Sequence, residues 1–281
     1  MTSMKAKPDF AVIGAMRAGT TQLYEMLRMV PGICVAEMKE TDYFCSSQSV
    51  AKGDDWYARQ FVEKDSLWGD ISPNYAKTDV NPEAPDLLHS ANPDMKLFFL
   101  ARDPVSRAVS HYKMSYYLEK DLPDPQRLLS TWAGQHILHA SLYHTCLVPF
   151  WDRFGDEVTI VDFDALISKP EQTVGHICRT LGLDQTVAPL EAEQAANSFE
   201  ELSRRPDWWN ELRESAVGER LRGSLPRPLV NMAKRHLALS TPKPPPPPFP
   251  EDVIEEMKER LAPDAERFRE TTGLPFDQWS I

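Results

Sequence analysis

Directly behind the apolar run FAVIG (Phe10–Gly14), the chain places Gly14 and Gly19 five residues apart, then Thr20 and Thr21, then a helical pattern. FAVIG reads as a strand. In the segment after it, Leu23, Met26, Leu27 and Val30 fall on one helical face. A strand running through a glycine turn into a helix start presents backbone N–H groups and a positive dipole end to an anion. Gly19, Thr20 and Thr21 would supply those donors. Thr20 follows Gly19 where a triphosphate-binding loop carries lysine, and the loop's one cation is Arg17. No second carboxylate motif for magnesium accompanies it. The loop therefore suits a single 5′-phosphate beside a charged transferring group better than a triphosphate.

Further along, strand-like and helical runs alternate. LWGDIS at Leu67 and MKLFFLA (Met95–Ala101) read as strands, the second as a buried central one. Asp103 as N-cap and Pro104 at the first helical position start a helix. EVTIVDFDAL reads as a further strand, and KPEQTVGHICRTLGL as a helix stopping near Gly182. This alternation predicts an α/β fold of three layers, a mainly parallel sheet flanked by helices. The 281 residues read as one domain, with a proline-rich spacer at 241–250 and C-terminal helices at about 251–272. Net charge is −11, which argues against a nucleic-acid or anionic-membrane surface. No signal-peptide pattern or membrane-span candidate stands out, so a cytoplasmic protein is expected. Cys34, Cys45, Cys146 and Cys178 are scattered without metal spacing and read as buried thiols.

Two more stretches carry chemistry. In LFFLARDPVSRAVSHY, Arg102 ends the central strand and Ser110 lies eight residues on. Ligands of open parallel sheets gather at such strand ends, so the pair could grip a phosphate. Equally, Arg102 could pair with Asp103 while Ser110 packs in its helix. In AEMKETDYF (Ala36–Phe44), Glu40 could act as general base or Lys39 could stabilise charge.

The ordered motifs GAMRAGTTQL, KETDYF, DISPNY, LARDPVSRAVSHY and SLYHTCLVPFW, over roughly Pro8 to Leu183, resemble sulfotransferases that use 3′-phosphoadenosine 5′-phosphosulfate. The likeness is to their carbohydrate branch, including heparan sulfate N- and 3-O-sulfotransferases, and its bacterial relatives. The resemblance implies a P-loop-like fold and sulfuryl transfer to a hydroxyl or amine of a glycan or small molecule. No metal is expected, because Arg17 and the helix N-terminus supply the positive charge, and the negative net charge argues against a nucleic-acid partner. The resemblance places the donor's 5′-phosphosulfate against Arg17, Ala18, Gly19, Thr20, Thr21 and Gln22. Arg17 takes the place of the usual lysine; it keeps the charge but is a poorer proton donor. Arg102 and Ser110 align with the 3′-phosphate grip, and Glu40 with the base that deprotonates the acceptor. Asp70 and Tyr143 are expected on the acceptor side. Where glycan enzymes commonly carry lysine in an EKTP-like stretch, this chain has Ile71, so either Lys39 substitutes or the acceptor differs. A late lid, ERLRGSLPR, is expected to bring Arg222 and Gly223 to the nucleotide. A kinase with an unusual loop and a catalytically silent nucleotide-binding module are the alternatives.

Overall fold

A computed structural model describes residues 7–119, 122–183 and 244–281. Five strands, β1 (Phe10–Gly14), β2 (Ile33–Val35), β3 (Leu67–Ile71), β4 (Lys96–Ala101) and β5 (Val158–Asp162), form one sheet in the order β2-β3-β1-β4-β5. Every pairing is parallel. Central strands of a parallel sheet are covered on both faces. Accordingly, all five residues of β1 and the last five of β4 are buried. The last position of β1 must be glycine because the Phe99 ring leaves no space for a side chain: an added Cβ would lie 2.6 Å from Phe99 Cε2.

Around the sheet run α1 (Thr20–Leu27), α2 (Ser47–Val50), α3 (Asp54–Ala58), α4 (Ala84–Ala91), α5 (Pro104–Leu118) and α6 (Pro125–Leu128). They are followed by α7 (Trp132–His139), α8 (Tyr143–Phe154), α9 (Phe163–Ser168), α10 (Pro170–Thr180) and α11 (Glu251–Thr272). α1, α9 and α10 pack together, as do α4 with α8, and α11 with both α5 and α8. The strand expected through DFDAL stops at Asp162. Its carboxylate accepts from Asp164 N at 3.0 Å and starts α9 instead, an N-cap hidden inside an apolar run. All four cysteines are buried thiols. Among the described residues no helix is long and apolar enough to cross a membrane.

α5 begins as its sequence predicts. Asp103 accepts from Ser106 N at 2.7 Å and also from Ser280 N and Oγ at 2.6 and 2.8 Å, which ties the C-terminal segment to the helix that carries Ser110. Burial pushes this carboxyl up. The hydrogen bonds from Ser280 and Ser106 outweigh it, so its pKa lies below the ordinary value.

α8 has no side-chain cap of its own at Leu142. Its opening amides are satisfied from α11: Asp264, 2% exposed, accepts from His144 N at 2.9 Å, Thr145 N at 3.0 Å and Thr145 Oγ1 at 2.6 Å. Asp264→Ala leaves buried donors unpaired and should cost about 2 kcal/mol, lowering Tm by roughly 4–8 °C. An unchanged melting curve would show that the contact between α11 and α8 contributes no stability.

Candidate functional site

The carboxyl ends of β1, β3 and β4 meet in one crevice, because β1 lies between the other two strands. Beyond Gly14 the chain turns, with Ala15 N donating to Leu100 O at 3.0 Å and Ala18 N to Ala15 O at 3.1 Å. Gly19 then starts α1 at φ +87°, a conformation side chains resist, and an added Cβ would press within 3.1 Å of Phe163. Ala18 is fully buried, so it can offer a ligand only its backbone; Thr20 is 5% exposed. Thr21 and Gln22 are half-buried in the first turn.

Arg17 has φ +71°, left-handed backbone that a non-glycine residue keeps only when its surroundings enforce it. Two contacts across the sheet do so. Arg102 Nη1 donates to Arg17 O at 3.0 Å, and Arg17 Nε donates to Ser110 Oγ at 3.1 Å. Three residues spread over more than ninety positions thus form one cluster. The alternative partner for Arg102 is occupied: Asp103 serves α5 and Ser280, and Arg102 pairs with no carboxylate among the described residues. Instead its guanidinium lies 4.8 Å over the Phe163 ring. Burial, and next the charge of Arg102, lower the pKa of Arg17, while the negative charge of Glu40 opposes them. Two cations held side by side beneath a helix N-terminus describe a site for an anion.

Arg107, one turn before Ser110, escaped the sequence reading. It is fully buried, donating from Nε to Ser141 Oγ at 2.6 Å, from Nη1 to Met16 O at 3.5 Å and from Nη2 to Ile137 O. Burial lowers its pKa to about 10. It braces the turn beneath Arg17 rather than facing a ligand. The signal was a second arginine three residues before Ser110 on the same helix.

Across the crevice, Glu40 N donates to Ile71 O at 3.1 Å, which fixes the KET turn to the end of β3. Glu40 and Asp42 both hold left-handed backbone, φ 62° and 50°. The Lys39 ammonium pairs with the Glu40 carboxylate. Asn74 Nδ2 donates to both oxygens of Asp42 at 3.1 and 3.2 Å. Burial, and secondarily the charge of Glu40, push the Asp42 carboxyl up to about 6. Glu40 is near enough to Arg17 for its charge to act on the guanidinium.

Two residues expected on the acceptor side lie in the interior. Asp70 is fully buried and accepts from Ser72 Oγ, Thr41 Oγ1, Tyr75 OH and Tyr57 OH at 2.7–2.9 Å, so its carboxylate is engaged within the protein interior. It fastens the KET turn to β3. Tyr143 is also fully buried, with its ring against Phe99 and Phe268. Its hydroxyl donates to Arg102 O at 2.8 Å, so it positions the arginine without reaching a substrate. Ile71, where glycan enzymes commonly carry lysine, packs in the core at 2% exposure. Arg222 and Gly223 lie outside the described residues.

The sulfotransferase domain family matches residues 7–238. The chain is 34% identical over 148 residues to membrane-associated sulfotransferase kil1 of Dictyostelium discoideum, covering 50% of this chain and 30% of that protein. It is 29% identical over 177 residues to heparan sulfate glucosamine 3-O-sulfotransferase 5 of Mus musculus, covering 58% and 50%. It is 28% identical over 287 residues to heparan sulfate glucosamine 3-O-sulfotransferase 6 of Homo sapiens, covering 96% and 73%. The chain therefore spans 30% and 50% of the first two relatives' length. A solved sulfotransferase from Alicyclobacillus acidocaldarius superposes with a TM-score of 0.56 at 22% identity, over 82% of this chain and 99% of that one, a likeness of fold.

Proposed function

The chain belongs to the sulfotransferase family, and from that footing we propose that it transfers a sulfuryl group from 3′-phosphoadenosine 5′-phosphosulfate to a hydroxyl or amine. The acceptor is a glycan, a glycoconjugate or another small molecule, and adenosine 3′,5′-bisphosphate is released. The observation that carries this reading is the convergence of Arg17, Arg102 and Ser110 beside the N-terminus of α1. The glycan relatives' printed names support the acceptor class.

In this reading the first turn of α1 and Arg17 hold the 5′-phosphosulfate. Arg102 takes the 3′-phosphate. Ser110 accepts from Arg17 and retains its own O–H to donate to the same phosphate. The acceptor oxygen attacks sulfur as the bond from sulfur to the bridging oxygen breaks. That electron pair passes to the phosphate oxygen, where Arg17 offsets the growing charge. The acceptor proton goes to Glu40, placed opposite Arg17.

The experiment is transfer of radiolabel from the donor to a panel of glycans, glycolipids, phenols and amines in excess EDTA. Because Arg17 and the helix N-terminus provide the positive charge, label should reach an acceptor at a rate EDTA does not change. Magnesium-dependent ATP turnover would point to a kinase instead. Tight bisphosphate binding without transfer to any acceptor would point to a silent binding module.

A further inference from the structure

Lys77 stands in the turn behind β3, its backbone fixed by bonds to Asn74 O at 3.1 Å and from Asn81 N at 2.8 Å. Its side chain is 8% exposed, yet among the described residues its ammonium makes no hydrogen bond and no ion pair. Arg107, buried more deeply, is by contrast bonded to Ser141, Met16 and Ile137. Among the described residues the polar side-chain atom both sealed from solvent and unpaired is Trp279 Nε1, so the Lys77 ammonium is unpaired yet reachable, and a cation so enclosed is costly to leave without a partner.

Its turn packs against both sides of the site: Ala76 N donates to Ile13 O at 3.0 Å near the end of β1, and Asn74 Nδ2 donates to the Asp42 carboxylate of the KET turn at 3.1 and 3.2 Å. In keeping with that placement, the charges of Arg107, Asp42, Glu40 and Asp79 act on Lys77. His111 of α5 feels both Lys77 and Arg17, and Glu40 likewise acts on both cations. His136 of α7 adjoins this group through Asp79 and the His111 ring. Lys77 therefore lies along the same crevice as Arg17, on the side of Glu40. Of the two other side chains considered for a cation there, Ile71 is buried in the core and Lys39 is paired with Glu40.

We propose that Lys77 is a ligand-contacting residue, whose ammonium takes an anionic oxygen group of the substrate beside the KET turn. This rests on the sulfuryl-transfer reading. Two sources carry that chemistry: the sulfonate of the donor, and a carboxylate or sulfate of the acceptor. Burial, and next the charge of Arg107, bring the Lys77 pKa down to about 8, against the carboxylates of Asp42, Glu40 and Asp79. An arriving anion favours the charged form, so binding near pH 8 draws in a fraction of a proton. Asp42 titrates about 6, Arg107 about 10, and His111 well below its ordinary value, so none of them supplies that proton uptake.

The test is calorimetry at pH 8 in two buffers of different ionisation enthalpy, on wild type and Lys77→Met. The probes are adenosine 3′,5′-bisphosphate, the intact phosphosulfate donor, and a heparan sulfate hexasaccharide added to bisphosphate-loaded protein. The bisphosphate should bind both proteins alike. The donor or the hexasaccharide should bind Lys77→Met about tenfold or more weakly, with the proton uptake lost. Loss in the donor arm assigns the sulfonate, and loss in the hexasaccharide arm assigns the acceptor. Tm of Lys77→Met should equal or exceed that of wild type, whereas a structural lysine would lower it. Equal binding and equal proton uptake in both arms overturn the proposal alone. Failure of the wild type to bind the bisphosphate overturns the sulfuryl-transfer reading together with it.

Discussion

Glu40→Gln should lower turnover on a hydroxyl acceptor by about 10²–10⁴-fold, the usual worth of a general base, while leaving bisphosphate affinity unchanged. Glutamine keeps the shape of the side chain and removes its basicity. The position is built for a demanding role: left-handed backbone at φ 62°, anchored through Glu40 N to Ile71 O, with Asp70 and its four hydroxyl donors beneath. Lys39 pairs with the Glu40 carboxylate within the same turn. Steady-state rates with bisphosphate titrations on both proteins check the expectation. Near-normal turnover on a hydroxyl acceptor would remove Glu40 from the chemistry and leave Lys39 as the candidate in that turn.

Arg17→Ala should damage both terms at once. The guanidinium is assigned to the oxygen that gains charge as the bond to sulfur breaks, and losing one such donor costs about 10²–10³ in turnover. Donor affinity should also fall about tenfold or more, since a charge-assisted contact is lost. The split separates the two residues: Glu40→Gln changes turnover alone, Arg17→Ala changes turnover and binding. Ser110 and Met114 lose a partner in the variant as well, so its melting curve belongs beside the kinetics. Retained turnover with weakened binding would reduce Arg17 to an anchor.

Much of this arrangement was legible from the residues. FAVIG, the glycine turn and the stripe of Leu23, Met26 and Leu27 name a strand, a loop and a helix because each obeys a local rule. Arg102 and Ser110 could be placed together because one ends a buried strand and the other lies two turns into the capped helix that follows. What stayed hidden depends on the third dimension. β2 has three residues, too few to show any period. Asp70 reads as an exposed strand-end carboxylate until Tyr57, Tyr75 and Thr41 are brought over it from separate segments. Lys77 carries no motif signal, and its burial comes only from the packing of separate segments around it.

The central claim is that the cluster of Arg17, Arg102 and Ser110 holds a nucleotide carrying both a 5′- and a 3′-phosphate. Calorimetric titration of the wild type and Arg102→Ala with adenosine 3′,5′-bisphosphate and with AMP measures it directly. The account predicts that the wild type binds the bisphosphate about tenfold or more tightly than AMP, the worth of a charge-assisted contact of roughly 1.5–3 kcal/mol. Arg102→Ala should erase most of that difference. Equal binding of the two nucleotides by the wild type would contradict it.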